Sequence, residues 1–571
     1  MSGSPRRDVP APGEAPMPAD NAAALLRRNA ADPEIGARPA LRFEDRVWTH
    51  AEFAVESARW ANLLRAHRRP GQPFHIGVLL ENIPEYLFAF GGAAMAGATI
   101  VGVNHTRRGV HLLHDITYTE CSLLITEPRL DELIDPVRDR LAMAVLTVGD
   151  DLEDALAGAG GADAGLEPDP ATPWGLIFTS GTSDAPKAVV CSQRRVMVSG
   201  ARMGIIMGLA ASDVGYVCMP LFHSNSVLVG WAPSLVLGAS VGLGRKFSAS
   251  RWLGDVRHYG ATYFNYVGKP LSYILAVPER PDDADNTLRV AFGNEGAPAV
   301  VAAFSRRFGV EVIDTFGATE GGVAVTRTED CPAGSVGRPG PGIKIVDDDG
   351  AELGPARFDA EGRLLDPETS VGEIVNTAGV GPFEGYYRND EANARSTRFG
   401  WYWTGDLGYV DAAGYLYFAG RVADWIRVDG ENFPAGPIEA ALARHPDVAF
   451  VAVYGVPDTA AGDQVMATVV LRAGARFDAA AFGVWLDAQA DLGPKWRPRY
   501  LRVTAAMPTS PTNKILTRTL VHEKYRPDRT GGDPIWVRAR DDAAYRPFTA
   551  DDAVVVRAEL DAAGRGRFWD L

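Results

Sequence analysis

The sequence predicts an α/β protein: a large N-terminal domain with mostly parallel sheets, followed by a small α+β C-terminal domain. Three observations carry this. Short apolar runs alternate with helical segments through the first 420 residues, as strands joined by crossover helices do. Around Gly420 the character changes, and Arg421 to Gly430 is polar and glycine-containing. Beyond it, helix and strand alternate again as far as Val503.

In chain order, His75–Leu80 is strand-like and a helix opens near Pro84. Tyr86 to Val103 is the longest apolar stretch. Gly97 breaks its pattern and Ala98–Val103 is strand-like, so a buried helix running into a buried strand is expected rather than a membrane span. Ser122–Thr126, Leu146–Val148, Trp174–Phe178, Val214–Met219 and Val241–Leu243 continue the series, and Tyr415–Phe418 closes it. A helix from about Pro437 to Arg444 and a strand at Ala449–Tyr454 open the second domain. The expected division is a disordered tail over 1–20, a large domain over 21–420 and a mobile domain with an extension over 421–571. At 571 residues the chain has room for roughly three or four compact units.

Composition excludes several classes. A hydrophobic fraction of 46% with 23% charged residues is that of a globular protein. A net charge of −15 leaves no footprint for nucleic acid. An anionic substrate must therefore be held by a local cationic site, against the global field. Cys121, Cys191, Cys218 and Cys331 stand far apart, with no zinc-knuckle or disulfide pattern, and imply reduced thiols in a cytoplasm. The N-terminus lacks a signal peptide's apolar stretch. A peripheral membrane contact and a homodimer both remain compatible with the chain.

The segment Phe178-Thr-Ser-Gly-Thr-Ser-Asp-Ala-Pro-Lys187 points to chemistry. Small residues let backbone N–H groups approach phosphate oxygens, hydroxyls add donors, and a lysine supplies a compact positive charge. It is not a Walker A loop, because Pro186 precedes the lysine and Ala188 follows it.

This loop resembles the phosphate-binding motif of the adenylate-forming enzymes, the superfamily of acyl-CoA synthetases, luciferases and peptide-synthetase adenylation domains. Further segments resemble the same superfamily in the same order: Asp314-Thr-Phe-Gly-Ala-Thr-Glu320, Gly372-Glu-Ile374, Glu384-Gly-Tyr-Tyr387 and Trp403-Thr-Gly-Asp406. Gly420-Arg421 with Asp424 and Gly430-Glu-Asn432 resembles its interdomain hinge, and Met507 to Lys514 its C-terminal catalytic-lysine loop. The segment Ala261 to Pro270 and the tail Asp533 to Thr549 look like the fatty-acid-transport-protein branch, in particular its fatty-acid–CoA ligases. The resemblance covers nearly the whole chain after residue 20.

It implies two steps: adenylation of an acid by ATP with release of pyrophosphate, then transfer to a nucleophile, usually coenzyme A. Thr179, Ser180, Gly181, Thr182 and Ser183 would cradle the β and γ phosphates with Lys187 as counter-charge. Glu320 would hold Mg²⁺, and Thr319 would contact the α-phosphate. Gly296, Ala297, Pro298 and Phe316 would line the adenine site, and Asp406 and Arg421 would take the ribose. Lys514 would stabilise charge that builds in the transition state. His223, Tyr266, Val267 and Gly268 would line the acyl pocket, and a hinge at Val422–Asp424 would move the small domain.

The match frays at Asp184 within the phosphate loop, at Gln193 in place of a histidine, and at Asn513 before the lysine. The implied protein is a fatty-acid or aryl-acid CoA ligase. An ATP-dependent diazotase, activating nitrite for attack by an aromatic amine, uses the same nucleotide site and is the alternative. A non-catalytic acyl carrier or membrane transport protein has no need of Lys187, Glu320, Asp406 and Lys514 together.

Overall fold

The computed structural model describes residues 15–107, 109–179, 187–268, 270–294, 296, 298–328, 331–332, 335–358, 364–365, 367–421, 425–428, 431–458, 463–489, 492, 495–509, 515–539, 542, 544–562 and 569. The chain forms two compact units. One holds residues up to Thr326 together with Gly379–Tyr402; the other holds Arg327–Ala378 and the chain from Trp403 onward.

The strands of the first unit are β1 (Pro39–Phe43), β2 (Arg46–Thr49), β3 (His75–Leu79), β4 (Thr99–Gly102), β5 (Leu123–Thr126), β6 (Ala144–Thr147), β7 (Pro173–Thr179), β8 (Lys187–Ser192), β9 (Val214–Val217), β10 (Ser240–Leu243), β11 (Tyr263–Val267), β12 (Val290–Asn294), β13 (Glu311–Gly317) and β14 (Ala324–Thr326). They build a six-stranded sheet in the order β6-β5-β3-β4-β7-β8 and an eight-stranded sheet in the order β14-β13-β12-β11-β9-β10-β1-β2. Both are parallel through their centres, with antiparallel β8, β14 and β2 confined to the edges. That arrangement suits the fully apolar runs: both faces of a central parallel strand are covered, and every residue of β3, β4 and β5 is buried.

Length alone allows three or four units. The two sheets fall within one unit, and hydrogen bonds join them. Asn82, just after β3, donates to the carbonyls of Met219 and Gly244, at 2.9 and 3.2 Å, and accepts from Leu221 N at 2.9 Å.

The apolar stretch from Tyr86 is a helix, Pro84–Ala96, ended by Gly97 at φ +70°, and then β4, as its pattern predicts. The helix packs so closely on His50–Ala66 that a Cβ on Gly92 would stand 2.6 Å from Trp60 Cβ. Among the described residues no helix is long and apolar enough to cross a membrane.

The second unit contains a five-stranded sheet ordered Ser335–Gly337, Leu416–Arg421, Tyr402–Val410, Gly372–Asn376 and Ile343–Val346. It also contains a five-stranded sheet ordered Val448–Pro457, Asp463–Leu471, Tyr500–Thr504, Ile535–Val537 and Arg546–Pro547. The division between units does not fall at Gly420. That residue lies inside the strand Leu416–Arg421, which pairs antiparallel with Tyr402–Val410. Composition marks the stretch as linker-like, but its first residue closes a ladder. Beyond it, Ile426, Val428, Ile438, Leu442, Val465, Val469 and Leu501 share one apolar core. The expected tail over 1–20 lies mostly outside the described residues; of the rest, Ala15 is buried and the Pro18 carbonyl accepts from Arg28 at 2.6 Å.

Candidate active site

The phosphate loop joins β7 to β8. Thr179 and Lys187 stand opposite each other in the antiparallel register, so the two described ends of the loop are closed as a hairpin. Lys187 is thus the first residue of a strand rather than a loop residue. Ser180, Gly181, Thr182, Ser183 and Asp184 lie outside the described residues, as do Ala297, the hinge residues Val422–Asp424, Asn513 and Lys514.

The segment Glu384–Tyr387 lies along β8. Val190 N donates to Gly385 O at 3.0 Å, Tyr387 N donates to Ala188 O at 2.8 Å, and Ser192 binds Glu384 through its N–H and hydroxyl at 2.6 and 2.5 Å. This places the Tyr386 ring under Lys187, whose Nζ lies 5.1 Å from the ring centroid. The Tyr386 hydroxyl donates to Glu320 Oε1 at 2.8 Å. Burial, and then the Glu320 charge, push the Tyr386 phenol well above its ordinary range, so it stays protonated and remains a donor. The result is a row of cation, aromatic ring, hydroxyl and carboxylate. Glu320 is only 8% exposed.

Glu320 stands on the turn after β13. Gly321, at φ +74°, closes this turn and approaches Pro382 closely enough that a Cβ would lie 3.0 Å from its Cγ. The turn is held from two other elements. Arg195, buried in the helix Gln193–Met207, donates to the carbonyls of Thr319 and, at 2.8 Å, Val190. Ser224 Oγ lies 2.7 Å from Thr319 Oγ1.

Among the described residues no group of three or more His, Cys, Asp or Glu converges as a cage. A single buried carboxylate is nonetheless what Mg²⁺ takes when substrate phosphates complete its shell, so Glu320 fits that ion.

Asp314 Oδ2 accepts from Tyr266 Oη at 2.6 Å and from Gly296 N at 2.8 Å. A Cβ on Gly296 would sit 2.6 Å from that oxygen, so only glycine permits the approach. Pro298 starts the helix Pro298–Phe308, and Phe316 is half-buried on β13 opposite Val325 of β14. Tyr266 is wholly buried with its hydroxyl engaged by Asp314; Val267 ends β11, and Gly268 follows at φ +74°.

His223 is half-buried beside the Phe222 ring, 4.6 Å between centroids, just before a π-helix over Asn225–Trp231. The π-helix is tied to β11 by Asn225 Nδ2, which donates to Tyr266 O at 3.0 Å. Gln193, in place of the expected histidine, is a structural residue: it accepts from Ala22 N at 2.9 Å and donates to Ala94 O at 3.1 Å.

In the second unit Asp406 pairs in register with Arg421. Its N–H donates to Thr404 Oγ1 at 3.0 Å, Thr404 donates to Ile374 O at 2.7 Å, and Gly405 N donates to Glu373 at 2.7 Å. The Gly-Glu-Ile and Thr-Gly-Asp segments are therefore one structure.

Residues 26–387 match the AMP-binding enzyme family, and residues 437–514 match the AMP-binding enzyme C-terminal domain. The chain is 46% identical over 539 residues to a steroid-22-oyl-CoA synthetase of Rhodococcus jostii (strain RHA1), covering 93% of this chain and 96% of the relative. It is 47% identical to the medium/long-chain-fatty-acid–CoA ligase FadD17 of Mycobacterium tuberculosis (strain ATCC 25618 / H37Rv), over 86% of this chain and 94% of that one. Its fold is similar to that of ATP-bound MatB from Rhodopseudomonas palustris, with a TM-score of 0.74, 25% identity and coverage of 88% and 98%. The ordered motifs, the two matched domains and the shared fold together make this chain a member of the AMP-binding enzymes, the adenylate-forming ligases.

Proposed function

We propose that the protein joins an apolar carboxylic acid to AMP and then passes the acyl group to the thiol of coenzyme A. The observation that carries this reading is the Lys187–Tyr386–Glu320 row with Thr319 beside it. It presents a cation, a fixed carboxylate and a hydroxyl at one place in an acidic protein.

In the first step an acid oxygen attacks the α-phosphate, the bond to the bridging oxygen of pyrophosphate breaks, and a mixed anhydride with AMP forms. Positioning and charge stabilisation are the enzyme's main tasks. Thr179 to Ser183 and Lys187 take the β and γ phosphates. Glu320 would hold Mg²⁺, whose charge would offset that of the phosphates, and Thr319 takes the α-phosphate. Gly296–Pro298 and Phe316 flank adenine, and Asp406 with Arg421 takes the ribose. Lys514, on a small domain that moves about 422–424, serves this step and leaves for the second. There the thiolate attacks the acyl carbon and AMP departs.

His223, the Tyr266 ring, Val267 and Gly268 face the acid. The relatives' names, one a steroid acid and one a medium or long fatty acid, share a carboxylate on a large apolar body, and that is the substrate class proposed. Four free cysteines accord with a reducing cytoplasm.

AMP formation by mass-resolved chromatography tests this. The acids are medium and long fatty acids, a steroid-22-oic acid, an aryl acid and nitrite, each with coenzyme A or an aromatic amine. AMP with a thioester of a fatty or steroid acid is expected. AMP from nitrite and amine alone, with no thioester, overturns the ligase and supports a diazotase.

A further inference from the structure

Arg195, from the helix Gln193–Met207, and Ser224, beside His223, hold the Thr319–Glu320 turn. Arg195 takes the Thr319 carbonyl, and Ser224 takes its hydroxyl at 2.7 Å. Among the described residues that hydroxyl is the one hydrogen-bond partner of Ser224 Oγ. Ser224 follows His223 directly and immediately precedes the π-helix Asn225–Trp231 without capping it through its side chain, and a π-helix is a form that occurs mostly as short bulges, often at functional sites.

A hydroxyl has one proton to give. If Thr319 gave its own to Ser224, it would have none for a phosphate oxygen. If Ser224 is the donor, Thr319 Oγ1 accepts, its rotamer is fixed, and its proton points onward, polarised by the bond it receives. The Arg195 guanidinium clamps the backbone of the same residue, so the hydroxyl has little freedom to turn away.

We propose that Ser224 is a positioning residue for adenylation. By donating to Thr319 Oγ1 it aims the Thr319 proton at the α-phosphate, and it links the His223 turn on the acid side to the nucleotide side. This rests on the reading of Thr319 given above.

The test is ATP–pyrophosphate exchange with the best acid found for the wild-type enzyme, on S224A, S224T, T319A and S224A/T319A, with thermal midpoints for each. S224A should lower kcat by roughly five- to tenfold, what one neutral hydrogen bond sustains, and leave KM for ATP within about twofold. S224T should recover most of the loss. In the T319A background S224A should add nothing, because its effect passes through Thr319. An impaired T319A with an additive S224A effect, or an S224A with wild-type exchange, overturns the proposal alone. A T319A with wild-type exchange removes the reading of Thr319, and the proposal falls with it. A lowered thermal midpoint with unchanged kcat per folded enzyme marks Ser224 as structural only and also overturns it.

Discussion

Tyr386 holds the buried carboxylate of Glu320 with a hydrogen bond of 2.8 Å. Y386F keeps the ring beneath Lys187 and removes only the donor to Glu320. A hydrogen bond to a charged group contributes about 1.5–3 kcal/mol. Y386F leaves the buried carboxylate without this donor, so it should lower the thermal midpoint by a few degrees and, as Glu320 loses its fixed position, raise the Mg²⁺ concentration for half-maximal pyrophosphate exchange. An unchanged Mg²⁺ dependence would show that Glu320 does not depend on this bond. A second residue-scale consequence concerns pH. Burial holds the imidazoles of His50 and His75 below the ordinary histidine range, and His75 Nδ1 lies 2.6 Å from Thr119 O. In the unfolded chain both titrate near pH 6.5. Below that pH the unfolded state binds protons that the native state refuses, so stability falls as pH drops, by up to about 1.4 kcal/mol per pH unit for each group. Above about pH 7.5 these groups contribute no slope. Urea midpoints measured at pH 8, 7, 6 and 5.5 should decline only over the lower part of that range, and H75Q should flatten the decline.

At the scale of elements, the apolar runs were legible because a strand covered on both faces has no need of polar positions. The helix Pro84–Ala96 and the strand Thr99–Gly102 follow from Pro84, Gly97 and one uninterrupted apolar stretch. The antiparallel β8 was not legible. A short apolar run states that a strand exists, whereas its direction depends on which neighbour it pairs with across the loop. The closeness of two helices was also hidden, and it supplies a prediction. G92A puts a methyl 2.6 Å from Trp60 Cβ, where the backbone of the neighbouring helix leaves no room. Overpacking of this kind costs typically about 1–3 kcal/mol. The thermal midpoint should fall by several degrees with KM for ATP unchanged in the folded fraction. A midpoint equal to wild type would mean that the two helices separate freely. Gly71, where no atom lies within 4 Å of a built Cβ, serves as an exposed comparison, although its φ of +76° brings a backbone strain of its own.

For the whole molecule, the net charge of −15 means that phosphate binding rests on a few local cations. If Lys514 acts in the first step only, K514A should lower adenylation by at least about a hundredfold, the scale of one removed transition-state stabiliser. Thioester formation from a synthetic acyl-adenylate and coenzyme A should stay within a fewfold of wild type. Equal loss in both half-reactions would show that Lys514 is not specific to the first.

The sequence by itself determined the fold class, the order of the motifs and the types of residue the chemistry requires. These are local properties, carried by apolar periodicity, glycine placement and short spacing. Gly296 and Glu320 were assigned to the site by the resemblance of their segments to those of the adenylate-forming enzymes. Only the tertiary structure decided that Arg195, Ser224 and Tyr386 meet at the Thr319–Glu320 turn, that Asp314 ties Tyr266 to Gly296, and that Gln193 is structural. The physical reason is that these partners lie between 18 and 171 residues apart. Their meeting depends on strand register and helix packing, which no local pattern encodes.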